Sequence, residues 1–120
     1  RDPATLRQAW VDWHNTARAQ REDYQRFAEL LNRGAQAYGY RDAGELWRAG
    51  YDMDAAAFAA ETERLWSQVE PLYGALHCYV RNRLHARYGN EVPATGPIPG
   101  HVLGNMWQQD WSNVYPLVEP

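Results

Sequence analysis

The chain has 120 residues, a net charge of −3 and twelve positive residues, all of them arginine, and this length bounds it to one domain. The arginines form no block, which argues against nucleic acid as a partner, and no apolar run approaches the roughly 20 residues that span a bilayer. A single cysteine, Cys78, excludes an internal disulfide. Six tryptophans and eight tyrosines exceed what a minimal helical bundle needs, and such rings favour interfaces and ligand walls.

The first third of the chain predicts two helices. Asp2-Pro3 is a typical N-cap followed by proline at the first helical position, and apolar residues then recur at helical spacing. We predict a helix from about 3 to 18. A second helix follows, beginning near Tyr24 and ending near Gly39.

The middle of the chain predicts a short helix and a long one. Asp42 and Glu45 have the spacing of a capping box, so a short helix begins there, and Asp54 is placed to cap the next. The long helix runs from about 55 to 88, with spacings of three, four and seven between its apolar residues. These are Phe58, Leu65, Val69, Leu72, Leu76, Val80 and Leu84. Pro71 lies inside the pattern and is expected to kink the helix.

The last part of the chain predicts a loop and one more helix. Residues 90–99 are interpreted as a loop, and a final helix is predicted from about Gly100 to Tyr115, ended by Pro116. No segment alternates with the period of two that indicates a strand. The predicted fold class is therefore all-α.

The residue pattern alone reveals no catalytic centre. A zinc protease helix carries two histidines four residues apart with a glutamate between them, and no pair among the four histidines has that spacing. The four are His14, His77, His85 and His101. Cys78 adjoins His77, but neighbouring side chains of a helix point in different directions.

Four long blocks of the sequence carry a resemblance to a known family. They are AWVDWHN (9–15), GYRDAGELWRAGY (39–51), PLYGALHCYVRNRLHARYG (71–89) and GPIPGHVLGNMWQQDWSNVY (96–115). In this order and at nearly this spacing, they resemble the angiotensin-converting-enzyme family of zinc peptidyl-dipeptidases, in a bacterial-type homologue. The resemblance covers almost the whole chain.

The resemblance implies a large, almost entirely helical enzyme built as two halves around a deep channel. Members bind zinc through an H-E-x-x-H helix and a further glutamate, remove dipeptides from the C-termini of peptides, and are often modulated by chloride. Residues 1–120 would be one internal helical segment of such a peptidase domain, without the zinc motif and inactive alone. Peptide substrates and the remainder of the parent enzyme are the partners implied, in an extracellular or periplasmic location.

The family's substrate contacts fall on one short segment. Gln109 matches the glutamine that helps to hold the substrate's C-terminal carboxylate, and an amide can donate to that group without adding a buried charge. Trp107 would form the pocket wall. Asp110 stands where relatives have a small hydroxyl residue, beside the pockets for the last two substrate residues, so it could favour basic side chains. Without the resemblance, Gln109 would be interpreted as a surface amide.

The family's chloride contacts fall elsewhere. Tyr51 matches a chloride-ligand tyrosine and Trp47 a neighbour of that site. His14 stands where relatives sometimes have arginine, and a neutral imidazole attracts an anion less than a guanidinium does. Without the resemblance, Trp47 and Tyr51, four residues apart, would be a packed aromatic pair.

Two functions stay open at this point. One is a segment of a zinc peptidyl-dipeptidase that supplies channel wall and carboxylate anchor. The other is a free-standing helical module that binds a partner and has no catalytic activity.

Overall fold

A computed structural model describes residues 2–119, and it confirms the all-α fold class, since none of these residues lies in a strand. The α-helices are α1 (Pro3–Asn15), α2 (Arg21–Ala37), α3 (Ala43–Arg48), α4 (Ala55–Tyr88) and α5 (Tyr115–Val118). Short 3₁₀ turns cover Arg18–Gln20, Gly89–Glu91 and Gly100–Val102. None of the helices between residues 2 and 119 is long and apolar enough to cross a membrane.

Side-chain caps fix where α1 begins and ends. The Asp2 carboxylate accepts a hydrogen bond from the Thr5 N–H at 2.9 Å, and Pro3 occupies the first helical position. At the other end the Thr16 hydroxyl donates to the Trp13 carbonyl at 2.6 Å. The same carbonyl accepts from the Thr16 N–H at 3.2 Å, and α1 ends at Asn15, three residues earlier than predicted.

The start of α3 is a capping box that is displaced by one residue. Asp42 accepts from the Glu45 N–H at 2.8 Å, as predicted. The Glu45 carboxylate, however, accepts from the N–H of Arg41 rather than that of Asp42. Both bonds satisfy backbone donors that the helix leaves free.

Helix α4 has the predicted bounds, and its start is capped by Asp54, which accepts from the Ala57 N–H at 2.8 Å. Pro71 lies inside it; the kink expected there stays a prediction. The chain divides at this residue into two compact units. Unit 1 comprises the chain up to residue 17 and from residue 71 onwards, and unit 2 comprises residues 18–70.

Unit 1 contains an apolar core at the C-terminal end of α4. Val80 and Leu84 lie one turn apart on the helix and are 2% and 0% exposed. They pack with buried side chains from the segment that follows the helix: Val92, Ile98, Val102, Leu103 and Val114. The segment after α4 is therefore held against the helix by its own apolar residues.

Unit 2 buries less. The Asn32 side chain accepts from the Ala43 N–H at 3.0 Å and so ties α2 to α3. The apolar face of α2 stays largely open, because the exposed fractions of Phe27, Leu30 and Tyr38 lie between 50% and 83%. With Leu31, Gly34, Ala35 and Leu46 they line an apolar groove.

The predicted final helix over 100–115 is wrong. A 3₁₀ turn at Gly100–Val102 is followed by turns, and the only α-helix of the region is α5, in which Pro116 is an early residue rather than the stop. Two residues between 100 and 115 have positive φ, Gly104 (34°) and Gln108 (58°). An α-helix cannot contain such residues, so helical hydrogen bonding cannot run through the segment.

Candidate functional site

The candidate site is built on a tight turn that depends on Gly104. A Cβ atom at this position would lie 1.8 Å from the backbone oxygen of Asp110. Glycine is the residue without that atom, and it also accepts the positive φ at little cost. The chain at Asp110 can therefore pass directly against the chain at Gly104.

Asn105 organises the backbone inside the turn. Its side-chain oxygen accepts from the N–H of Trp107 at 3.0 Å and from the N–H of Gln109 at 3.3 Å. Its carbonyl accepts from the Gln108 N–H at 3.2 Å. These local bonds compete with helix formation. Sequence reasoning missed Asn105, although Gly-Asn is a dipeptide typical of tight turns.

Gln108 and Trp111 close the turn. The Gln108 side-chain amide donates to the Met106 carbonyl, and the Trp111 indole N–H donates to the Gln108 carbonyl at 3.3 Å. Gln108 thus uses both its side chain and its backbone to hold the turn, whereas its neighbour Gln109 extends an exposed side chain.

Trp107, Gln109 and Asp110 lie together on this turn and face solvent within unit 1. The Trp107 ring is 62% exposed and meets the Trp13 ring edge-on, with the ring centres 5.0 Å apart at 81°. Offset and edge-on aromatic pairs are favourable. Trp13 therefore supports one side of Trp107 while the other side remains available.

The Asp110 carboxylate is held in its charged form. It accepts from the Ser112 N–H at 2.8 Å. Hydrogen bonds from the Ser112 backbone and side chain keep the pKa of Asp110 below its usual value. The exposed face of the turn therefore carries an amide, an indole and one negative charge.

A cavity of about 260 Å³ is lined by Trp107 and by other residues of α1 and of the segment 101–106, most of them apolar or aromatic. Trp10 and His101 are among them, and within residues 2–119 neither the Trp10 indole nitrogen nor His101 Nε2 has a hydrogen-bond partner, although both atoms are buried. Burial lowers the pKa of His101, because it disfavours the charged imidazolium.

Trp47 and Tyr51 belong to unit 2 and are both more than half exposed. The Tyr51 ring contacts Phe58, with ring centres 5.0 Å apart. A cavity of about 430 Å³ beside Tyr51 is lined by one arginine and three acidic residues: Arg48, Glu45, Asp52 and Asp54. This charge balance disfavours an anion in unit 2 by itself, and the assignment of chloride contacts stays a prediction.

His14 belongs to unit 1, and its Nδ1 lies 2.8 Å from the Trp10 carbonyl. Since a carbonyl can only accept, Nδ1 carries the proton of this bond. The imidazole also stacks on the Trp10 ring, with the ring centres 3.7 Å apart. One nitrogen of His14 is thus engaged in holding α1.

Zinc does not fit the residues described. Between residues 2 and 119, no group of three or more histidine, cysteine, aspartate or glutamate side chains is placed to hold a metal ion. Structural and catalytic zinc sites need at least three such protein ligands.

Comparison with known proteins identifies the family. The family model described as angiotensin-converting enzyme matches residues 1–120. The chain belongs to the angiotensin-converting enzyme family. Angiotensin-converting enzyme of the pig (Sus scrofa) is 46% identical over 114 residues, which are 93% of this chain and 9% of the pig protein.

Two further relatives extend this comparison within the angiotensin-converting enzyme family. Angiotensin-converting enzyme-like protein Ace3 of the mouse (Mus musculus) is 42% identical over 122 residues, with 100% of this chain and 16% of the mouse protein covered. Angiotensin-converting enzyme of Theromyzon tessulatum is 39% identical over 121 residues, or 99% of this chain and 19% of that protein. The chain thus spans less than a fifth of the length of each of these relatives.

Proposed function

We propose that this chain is part of a zinc-dependent peptidyl-dipeptidase, in which it forms substrate-channel wall and anchors the substrate's C-terminal carboxylate. The observation that carries the proposal is the family match over residues 1–120. The relatives cover nearly all of this chain at 39–46% identity. The turn at Trp107 and Gln109 supports it, because both side chains are exposed on a tightly held backbone.

Gln109 is the proposed carboxylate anchor. Its backbone is fixed by Asn105, so the exposed side chain starts from a defined position. A neutral amide donates hydrogen bonds to a carboxylate and brings no charge that would have to be desolvated. Trp107, supported by Trp13, offers an apolar wall beside it.

Asp110 is proposed to select among substrates. Its carboxylate is charged at neutral pH and stands next to the anchor in sequence. It would repel acidic side chains and attract basic ones in the last two substrate positions.

Zinc, in this proposal, is bound by residues outside the chain, and no bond-breaking step is assigned to residues 1–120. Trp47 and Tyr51 are proposed contacts of a modulating chloride ion, completed by groups outside unit 2. An extracellular or periplasmic location accompanies the proposal.

The test uses the full-length protein that contains this chain, with residues 1–120 alone as a comparison. We expect the full-length protein to contain zinc and to release C-terminal dipeptides, and the isolated chain to do neither. Gln109→Ala should lower kcat/KM about tenfold for a peptide with a free C-terminus, equivalent to about 1.4 kcal/mol, and mainly through KM. Gln25→Ala, at an exposed glutamine of α2, is the matched control. Unchanged kinetics for Gln109→Ala would contradict the role of this residue.

The alternative is a free-standing helical module that binds a partner. The exposed groove of α2 around Phe27, Leu30 and Tyr38 favours it. A full-length protein that binds no zinc and releases no dipeptide would support this alternative.

A further inference from the structure

Two side chains of α4 hold the loop that leads to the candidate site. Arg81 donates through Nε to the Ala94 carbonyl at 3.0 Å and through Nη1 to the Gly96 carbonyl at 3.3 Å. One turn further along the helix, His85 Nδ1 lies 2.6 Å from the Val92 carbonyl. A carbonyl can only accept, so His85 donates here. Two residues thus bind three carbonyls of one short loop.

The loop has few backbone donors with which to form hydrogen bonds of its own. Pro93, Pro97 and Pro99 have no backbone N–H to donate, and residues 92–99 form neither helix nor strand. Val92 and Ile98 are buried at the two ends of the loop, which fixes those ends. Arg81 supplies the side-chain donors to the stretch between them.

The loop in turn supports the candidate site. Gly100 follows directly, and a Cβ atom on it would lie 3.1 Å from Cδ of the Gln108 side chain. The backbone at Gly100 therefore packs closely on Gln108. Gln108 precedes Gln109 and holds the turn through the Met106 carbonyl. A shift of the loop would be transmitted through Gln108 to Gln109.

We propose that Arg81 is a positioning residue for the substrate-carboxylate anchor, acting through the loop 92–99, Gly100 and Gln108 on Gln109. This inference rests on the proposed function. A guanidinium suits the task, because its planar fork can bind two carbonyls at once and its charge strengthens both bonds. The remaining nitrogen, Nη2, lies 3.4 Å from Cys78 Sγ. Lysine cannot reproduce the fork, since its donors sit on a single atom.

The experiment compares two substrates on the full-length protein: a peptide with a free C-terminal carboxylate and the same peptide as its C-terminal amide. The variants are Arg81→Met, Arg81→Lys, Gln109→Ala and the double variant Arg81→Met/Gln109→Ala. Arg83→Met is the matched control. Arg83 is an arginine of the same helix whose Nη2 donates to the Glu119 carbonyl at 3.3 Å rather than to the loop.

We expect Arg81→Met to lower kcat/KM for the carboxylate substrate about tenfold, through KM, and to leave the amide substrate within about twofold. Arg81→Lys should recover part of the loss. The double variant should lose little beyond Gln109→Ala alone, because both changes remove the same interaction. Arg83→Met should keep the wild-type ratio between the two substrates.

Other results would contradict either the role of Arg81 alone or the roles of Arg81 and Gln109 together. Equal losses on both substrates, or full additivity of Arg81→Met and Gln109→Ala, would show a merely structural role and overturn the inference alone. If the wild-type protein has the same kcat/KM for both substrates, the inference and the anchor role of Gln109 are overturned together. If Arg81→Met does not fold, Arg81→Lys decides: a wild-type substrate ratio overturns the inference, and a reduced ratio with retained amide kinetics supports it.

Discussion

Replacing Gly104 with alanine tests the turn that carries Trp107 and Gln109. The added methyl group would lie 1.8 Å from the Asp110 backbone oxygen, and the residue has a φ of 34°. Inserting a group into occupied space typically costs about 1–3 kcal/mol, and the left-handed backbone adds roughly 1 kcal/mol for a residue with a Cβ. We therefore expect Gly104→Ala to lower the free energy of unfolding by about 2–4 kcal/mol.

Alanine variants of two other glycines in unit 1 show how much of this loss of stability comes from the steric collision and how much from the positive φ. Gly96 has a φ of 83° but open space around its Cβ position among the described residues, so Gly96→Ala should cost only about 1 kcal/mol. Gly74 lies inside α4, also with open space. Since glycine weakens a helix interior, Gly74→Ala should stabilise by roughly 0.5–1 kcal/mol.

The measurement is urea unfolding of the 120-residue chain, followed by circular dichroism and tryptophan fluorescence. The three variants differ from the parent chain by the same methyl group, so their order of stability is the result of interest. If Gly104→Ala were no more destabilising than Gly96→Ala, the close approach of Gly104 to Asp110 would be refuted.

Three further predictions concern the core, a histidine and the specificity of the site. Leu84→Ala should cost about 2–5 kcal/mol in urea unfolding, whereas Leu72→Ala, at a side chain 74% exposed, should cost less than about 1 kcal/mol; equal costs would refute the core assignment. Because the pKa of His101 is lowered in the folded chain, the unfolded chain takes up this proton first, and stability should fall as the pH is lowered through about 6.5, the ordinary pKa of histidine. His101→Gln should remove part of that slope in urea titrations, and an unchanged slope would contradict the effect. In the full-length protein, Asp110→Ser should reduce the kcat/KM preference for basic over acidic final residues, because the charged carboxylate that discriminates between them is removed; an unaltered preference in Asp110→Ser would count against the role.

Sequence analysis located most accurately the helices whose first turn is capped by a nearby side chain. Asp2, Asp42 and Asp54 each accept from an N–H three residues ahead, and each was recognised as a cap from its position alone. Such bonds join residues close in sequence, so they can be inferred without knowledge of the tertiary structure. The bounds of α4 were predicted from its cap and its periodicity.

The turn at the candidate site could not be predicted in the same way. A helix was predicted over this region, from about Gly100 to Tyr115. The Asn105 side chain instead accepts hydrogen bonds from the N–H groups of Trp107 and Gln109, and these bonds compete with helix formation. The decisive fact is the contact of Gly104 with Asp110, which depends on how the chain folds back on itself.

The apolar residues of α4 are regularly spaced along the helix but differ widely in how far they are buried. A single series of spacings runs through the helix, yet Leu65, Val69, Leu72 and Leu76 are 48–74% exposed while Val80 and Leu84 are buried. Periodicity identifies a face that is suited to burial, but it does not identify what covers that face. Apolar residues of the chain after α4 pack against Val80 and Leu84 and so cover the C-terminal turns of the helix. An open apolar stripe over several turns is unfavourable in water, and this fits a chain that spans less than a fifth of its relatives. The same reasoning applies to the roles proposed for Gln109 and Trp107: an exposed amide and an exposed indole form a binding site only when a second surface faces them.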